Sequence, residues 1–520
     1  MTPHAQQVRH LVVILPDQLN RDAACFDDFS LEADLVWMAE TDAEARRAWS
    51  HQQRVTFFFS AMRHFRDDAL QRGYRVSYHS LDDLPAQGEG TALHGLLNDD
   101  LRRLRPEKLV AVMPGDHAVA ATLKTVAERN HVEWELRPDR HFYLGIPDFA
   151  AYASEHTGYR LETFYRHMRR REHILINDAG SPAGGDWNYD KENRKSFGSD
   201  GPGYSKVPRR FQADELTRAV QDVVKRRFRR HPGNAAMMDL PVTREQALAL
   251  LRDFIDHRLT HFGPYQDAMW KDRPFLHHSR LSAALNAHLL SPGEVVSKAV
   301  EACRLGHAPI NSVEGFVRQV LGWREFVRGI YWREMPDYAD RNALGADLTL
   351  PSFYWTGTTG MACVHDCMRN VLEHGYAHHI QRLMVLGLLA LLLGVDPHSF
   401  HRWHMAMYLD AADWVSLPNV LGMSLFADGG LLGSKPYCAS GKYISRMSNY
   451  CVLCRYDPAV TKGEEACPYS VLYWDFLARH RTRLQHNRRM QFQLKNLDRK
   501  PAEQLNAIRR AADKLKEAWG

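Results

Sequence analysis

No run of this sequence is apolar for long enough to cross a bilayer. The longest, Leu383 to Val395, is about thirteen residues against the roughly 20 a spanning helix needs, so it reads as a buried core helix. Met1 to Arg9 has no apolar stretch behind a basic one, and Leu11 to Leu15 is too short for a signal-peptide core; export is not expected, and a cytoplasmic location without membrane contact is. Low-complexity tracts and internal repeats are lacking, which excludes solenoids and leaves no disorder expected outside the ends. Cysteine is scarce, at eight residues in 520, and a reducing compartment excludes a disulfide framework. Metal or cluster ligation, or inert burial, is what remains for the thiols. A net charge of +5 is too small to identify a nucleic-acid binder by itself, so any such footprint must come from local clustering.

What is present is ordinary globular material, 45% hydrophobic and 25% charged. The length exceeds one hydrophobic core, so two or three units are expected. Over residues 1–140 short β-like runs alternate with helix-like ones: Leu11 to Leu15, Leu35 to Met38, Val55 to Phe59, Tyr74 to Tyr78 and Leu109 to Met113. Such spacing predicts βαβ units and a parallel sheet. Ligands of open α/β sheets lie beyond the carboxyl ends of the strands. Asp17 and Gln18 after the first run, and Glu40 or Glu44 after the second, are placed there, with loop polars and helix caps as the competing reading.

Residues 141–232 form a connector broken by Gly180 to Gly185 and Gly198 to Gly203, with basic runs at Arg166 to Arg171 and Lys225 to Arg230. Those runs are solvated helix faces or a phosphate-binding groove. From residue 233 to the end helical periodicity dominates, with long segments over Val313 to Trp332, Gly375 to Gly394 and Pro397 to Met407. The predicted fold is an α/β domain with a parallel sheet joined to a larger all-α domain.

Cys451-Val452-Leu453-Cys454, twelve residues and then Cys467-Pro468 bring three thiolates within reach of one centre. A distant fourth completes the four soft ligands of zinc or a [4Fe–4S] cluster. Cys363 is the favoured fourth and Cys367 and Cys438 are competitors; spacing leaves zinc and cluster open. Cys25 and Cys303 stand alone and read as incidental thiols.

Four helical signatures follow in order: His278-Ser279-Arg280-Leu281-Ser282, Val320 to Phe326, Tyr376 to Met384, and Asp410 to Asn419. Taken singly they are a helix cap, a packed Trp beside an ion pair, and core. As a set, with Met361-Ala362-Cys363, Asp428-Gly429-Gly430, Lys435-Pro436-Tyr437 and the cysteine trio, they resemble the cryptochrome/photolyase family over nearly the whole chain. The resemblance is strongest to its bacterial iron–sulfur branch, whose members repair (6-4) photoproducts in DNA.

That resemblance implies a folded-back FAD in the helical domain and a cavity for a flipped-out DNA lesion. Ser279, Leu281 and Ser282 would meet the cofactor phosphates, flanked by Tyr265, Gln319 and Arg324. Arg382 with Asp413 would form the ion pair beside the flavin ring, with Asp410 and Asn419 close by. It resolves the cysteines as a [4Fe–4S] set of Cys363, Cys451, Cys454 and Cys467. His378 or His379, on successive faces of a helix, would supply the proton of (6-4) repair. Trp323, Gln319, Tyr437 and Tyr443 would contact the lesion or DNA, and Trp355 and Trp403 would carry electrons to the flavin. Asp17, Gln18 and Glu44 would hold a 6,7-dimethyl-8-ribityllumazine antenna. Asp267 is a candidate Mg2+ ligand, against the reading of an exposed helix carboxylate.

Three positions depart from the branch pattern: Ser416 where an acidic residue is usual, His404 where tyrosine is, and Arg47 where an aromatic is. The expected activity is light-driven repair of UV-damaged DNA by a (6-4) photolyase, working as a monomer that meets the nucleoid when bound to DNA. The competing functions are a cryptochrome-type blue-light receptor with the same cofactors, and a zinc-containing nucleic-acid-binding module without flavin.

Overall fold

Five short strands lie side by side in parallel: His10–Val13 (β1), Leu35–Ala39 (β2), Val76–His79 (β3), Lys108–Val112 (β4) and Glu133–Arg137 (β5), in the order β3-β2-β1-β4-β5. The computed structural model describes residues 8–83 and 92–519. The central strands are apolar on both faces because both faces are covered. Leu11, Val13, Trp37, Leu109 and Ala111 pack against Leu97, Leu101, Leu123 and Val126 of the helices Leu93–Leu104 and His117–Arg129. Val12, Val36 and Val110 face the other way, into a core continuous with the helical body. Strand order reverses between β1 and β4, which leaves a crevice beyond their carboxyl ends.

One strand expectation is corrected and one strand is added. Val55 to Phe59 is helical, inside Gln52–Gln71, where Val55, Phe57, Phe59, Met62 and Phe65 are all buried. A short apolar run is equally good as a central strand or as a helix buried all round, and periodicity does not separate them. In its place the sheet gains β5, whose sequence Glu-Trp-Glu-Leu-Arg is only half-buried. It is an edge strand, so its charged residues conceal it.

Beyond β5 every named element among the described residues is a helix. The connector divides between its neighbours. The helices Ile146–Ser154 and Leu161–Arg171 pack on the long helical stretch Arg318–Glu334, whereas Glu215–Arg227 packs on Gln52–Gln71 of the α/β unit. The expected helix over Gly375 to Gly394 begins only at His379, after a left-handed Gly375. Three segments wind as π-helix: Arg318–Arg324, Arg382–Gly387 and Asn419–Ser424. Each contains a glycine, and a Cβ on Gly387 or Gly422 would fall 3.0 Å from the Ser424 hydroxyl or 2.5 Å from the Asp428 carboxylate. No helix among the described residues is long and apolar enough to cross a membrane.

Gly329 permits the closest of the connector contacts, because a Cβ there would lie 2.1 Å from the Phe149 ring. Gly329→Ala is expected to push the helix Ile146–Ser154 off its seat and to cost about 1–3 kcal/mol, read as a lower melting temperature. Gly198→Ala, with no atom in the way, is the control and should melt as the parent does.

Candidate active site

The polar centre of the helical body is a bidentate ion pair. Arg382 NH1 and NH2 donate to the two Asp410 carboxylate oxygens at 3.0 and 3.1 Å. Arg382 starts one π-helical turn, and its Nε donates to the Ala377 carbonyl at 2.6 Å. Burial alone would raise the Asp410 pKa, but the Arg382 charge outweighs it and holds the carboxyl below its ordinary value. The expected partner, Asp413, is engaged elsewhere: it accepts from the Tyr331 hydroxyl at 2.5 Å and meets His401 Nε2 at 2.9 Å. Asp410 has the shorter reach because Asp413 already opens the next helix, Asp413–Pro418, and turns toward the α/β unit.

Around the pair stand most of the other expected cofactor contacts. Ser282 begins the short helix Ser282–Asn286 and hydrogen-bonds Asp410. Leu281, buried, takes its backbone N–H to the Ser279 hydroxyl at 3.3 Å. Asn286 donates to the Asp410 carbonyl at 2.7 Å and faces Arg324 NH2 at 3.4 Å. Arg324 lies deep, over the rings of Phe142 and Trp414, and its NH1 has no partner among the described residues. Tyr265 stands apart, stacked on Phe197 at 4.6 Å. Gln319 is exposed and reaches only the Gly315 carbonyl. Ser416 is buried one turn before Asn419.

The two histidines diverge sharply. His378 caps the helix His379–Gln381, is fully buried, and stacks on His278 at 4.4 Å with 13° between planes. His379 is solvent-accessible, yet enough protein surrounds it that burial and then Arg382 push its pKa down to about 4. Trp323, which donates to Asn419 Oδ1 at 3.0 Å, joins two of the π turns. Asp267, Tyr437 and Tyr443 share Arg194 as a charged neighbour. Asp267 lies beyond its helix, not on an exposed face of it, and burial raises its pKa to about 6.

In the α/β unit Asp17 and Gln18 sit in the crevice where strand order reverses. Gln18 is buried and donates to the carbonyls of Val112 and Met113 at 3.2 and 3.0 Å, leaving its own oxygen unpartnered among the described residues. Burial, followed by Asp139 and Asp116, raises the Asp17 pKa to about 7. Glu44 and Arg47 are exposed on the helix Ala43–Ala48. Glu40 is closed off by Arg63, Tyr78 and the Leu81 N–H.

Over 482 residues, 92% of this chain and 94% of its counterpart, the sequence is 44% identical to the (6-4) photolyase of Agrobacterium fabrum (strain C58 / ATCC 33970). The chain belongs to the photolyase family. The family described as deoxyribodipyrimidine photo-lyase-related protein matches residues 12–240 of this photolyase-family chain. The crystal structure of a bacterial class III photolyase from Agrobacterium tumefaciens superposes with a TM-score of 0.53 at 15% identity, covering 100% of this chain and 99% of the other, a likeness of fold.

Two further groups of expected residues lie in the helical body. Cys363, Cys451, Cys454 and Cys467 line one pocket together with Tyr450, Tyr456 and Tyr469. Cys367 and Cys438, the competitors, do not line it; Cys367 is fully buried one turn after Cys363. Among the described residues no three His, Cys, Asp or Glu side chains converge closely enough for a single metal ion. Trp403, fully buried, contacts Tyr408 at 5.5 Å, and the Arg382 guanidinium lies 3.9 Å over the Tyr408 ring. Trp355 is half-buried, 5.1 Å from an exposed Trp49.

Sequence reasoning passed over Arg54 and Trp49, both supplied by the α/β unit. Arg54 donates to the carbonyls of Tyr408 and Leu409 at 3.0 and 3.3 Å, and burial lowers its pKa to about 10. A lone charge heading an apolar run was its one signal, hidden by the strand reading.

Burial holds His278 at about 3 and His378 and His404 well below the usual imidazole value. An unfolded histidine titrates near 6.5. Below that pH the unfolded chain takes up protons these imidazoles refuse, so their stabilisation is complete above about pH 6.5 and declines as pH falls. Asp17, Glu325 and Asp267, with raised pKa values, act in the opposite sense, so a difference is the clean readout. His378→Phe is expected to lose less melting temperature between pH 7 and 5 than the parent; equal slopes would contradict a neutral buried His378.

Proposed function

We propose that the protein is a light-driven DNA-repair enzyme, a (6-4) photolyase working with FAD on a flipped-out lesion. The observation that carries this reading is His379 standing solvent-accessible beside the Arg382–Asp410 pair. Support for FAD comes from the donor set around that pair: Ser279 and Ser282 hydroxyls, the unpartnered Arg324 NH1 and the Arg382 fork. These suit a diphosphate and a ring carrying negative charge. When bound and reduced, FAD supplies an electron to the lesion under light.

The chain's own residues supply the rest. A base in a duplex cannot reach so deep a site, so the lesion must leave the stack at a cost of a few kcal/mol, which is smaller for damaged pairs. Trp323, Tyr437 and Tyr443 would offer stacking surfaces to the extruded bases, and Gln319 would hydrogen-bond at the opening. His379 would deliver a proton to the oxygen or hydroxyl that moves between the two bases. Its depressed pKa keeps the ring neutral until a negatively charged substrate arrives and raises it. His378, stacked and without access, would hold its neighbour in place. Arg382 and Asp410 would orient the flavin ring, with Asn419 beside it and Tyr265 flanking the phosphates.

A [4Fe–4S] cluster on Cys363, Cys451, Cys454 and Cys467 is supported by four thiols lining one pocket; each iron of such a cluster takes a single thiolate. Trp403 and Trp355 would pass electrons inward from solvent. Asp17 and Gln18 would hold the ribityllumazine, with Glu44 at the periphery, and Asp267 is the candidate Mg2+ ligand.

Anaerobically purified protein, illuminated under reducing conditions with an oligonucleotide bearing one (6-4) lesion, should restore the bases in light and not in the dark. A coloured protein that binds flavin but leaves the lesion untouched would point to a cryptochrome-type receptor, and a colourless zinc protein would overturn the reading. His379→Ala is expected to keep FAD and lose repair by about 100-fold or more, the scale of general acid catalysis; His378→Ala should lose less. Cys451→Ser should lower iron from about four per chain and reduce the melting temperature.

A further inference from the structure

Between the cysteine pocket and the histidines runs a continuous chain of hydrogen bonds through side chains that the repair reading leaves without a role. Tyr450 precedes Cys451 and lines the pocket with the four cysteines. It is fully buried, at 1% exposure. Its hydroxyl accepts from Gln381 Nε2 at 3.0 Å and has the Asp366 carboxyl and the Cys367 thiol as neighbours. Gln381, also fully buried, turns its Oε1 to the backbone N–H of His378 at 3.2 Å. Asp366 is itself fixed by Arg369 and by the Asp272 N–H at 3.1 Å.

We infer that Tyr450 and Gln381 are positioning residues that tie the geometry of the cysteine loop to that of the histidine pair. This rests on the reading of His379 as the proton donor. A carboxamide has one donor end and one acceptor end, so only one orientation of Gln381 serves both neighbours. Tyr450 accepts from the nitrogen, which leaves the oxygen to receive the His378 N–H. That bond caps the start of the helix that runs from His379 through Arg382–Gly387 into Leu388–Leu393. The first N–H groups of a helix have no partners within it, so the cap helps to fix where the His378 and His379 backbone lies. On the other side Tyr450 is held by the loop that carries Cys451 and Cys454. Whatever those thiols bind, fixing the loop fixes Tyr450, and through it the direction in which His379 points. An off-line proton donor costs rate without costing affinity, because orientation enters the chemical step.

The test uses the intact, flavin-loaded protein and two variants, Tyr450→Phe and Gln381→Ala. Tyr450→Phe keeps the ring that packs against the cysteines and removes only the hydroxyl. Both are expected to retain flavin, iron and DNA affinity while repair per absorbed photon falls about 5-fold or more. The double variant should be no worse than either single one, as members of one network are non-additive. Loss of iron or flavin in Tyr450→Phe would make the tyrosine merely structural and overturn the proposal, as would full repair. A second readout does not depend on repair at all. In histidine-labelled protein without DNA, Tyr450→Phe should shift the NMR signals of His378 and His379 and leave those of the distant His131 and His173 in place. Unmoved signals sink the coupling even where the parent repairs lesions; moved signals in a parent that repairs nothing uphold it and refute only the donor role.

Discussion

The Arg382–Asp410 pair is the constraint around which the helical body is arranged. Two opposite charges deep in a protein lose hydration, and that loss is offset only when geometry is close to ideal and the remaining donors and acceptors are occupied. Here the fork is bidentate, Arg382 Nε is taken by the Ala377 carbonyl, and the Asp410 backbone carbonyl by Asn286. The Tyr408 ring supports the guanidinium face. Each partner belongs to a different segment, so 282–286, 377–382 and 408–410 must all be in register before the charges are tolerable. Removing either charge would strand the other, which makes this the place where folding and cofactor chemistry are hardest to separate.

Three π-helical turns converge on the same region. A π turn inserts an extra residue and rotates the side chains that follow it, and such turns recur at functional sites. In this chain they carry Trp323 with Arg324, Arg382, and Asn419. The first and third are joined by the Trp323–Asn419 hydrogen bond. Glycines within the turns let Tyr165, Ser424 and Asp428 approach backbone that a side chain would keep away. Neither the winding nor the approach follows from hydrophobic periodicity, which sees Val313 to Trp332 as a single regular helix.

Much of the layout was legible because the physics is local. The parallel sheet followed from apolar runs at βαβ spacing, and Leu388–Leu393 is buried all round as its unbroken apolar sequence requires. The cysteine pocket followed from a Cys-x-x-Cys and two outlying thiols. What resisted reading is tertiary in origin. Val55 to Phe59 became helix because neighbours cover every side of it, and β5 stayed hidden because an edge strand bears charge. Asp410 rather than Asp413 reaches Arg382 because helix Asp413–Pro418 turns its first residue toward Tyr331 and His401. The contrast between His378 and His379, adjacent in sequence and opposite in exposure, depends on where a helix begins, at His379 and not at Gly375, which no pattern marks.

The first turn of Gln52–Gln71 belongs to the sheet by sequence but to the helical body by attachment. The His51 N–H reaches the Ala406 carbonyl, Gln53 the Glu373 carbonyl and Arg54 the Tyr408 and Leu409 carbonyls. Four main-chain acceptors of one unit are thus satisfied from the other, beside the ion pair itself. The two halves are therefore not interchangeable modules. A chimera that swapped the α/β half at the connector would leave those carbonyls buried without donors, so the seam that looks natural in the sequence is not the one along which the molecule could be recombined.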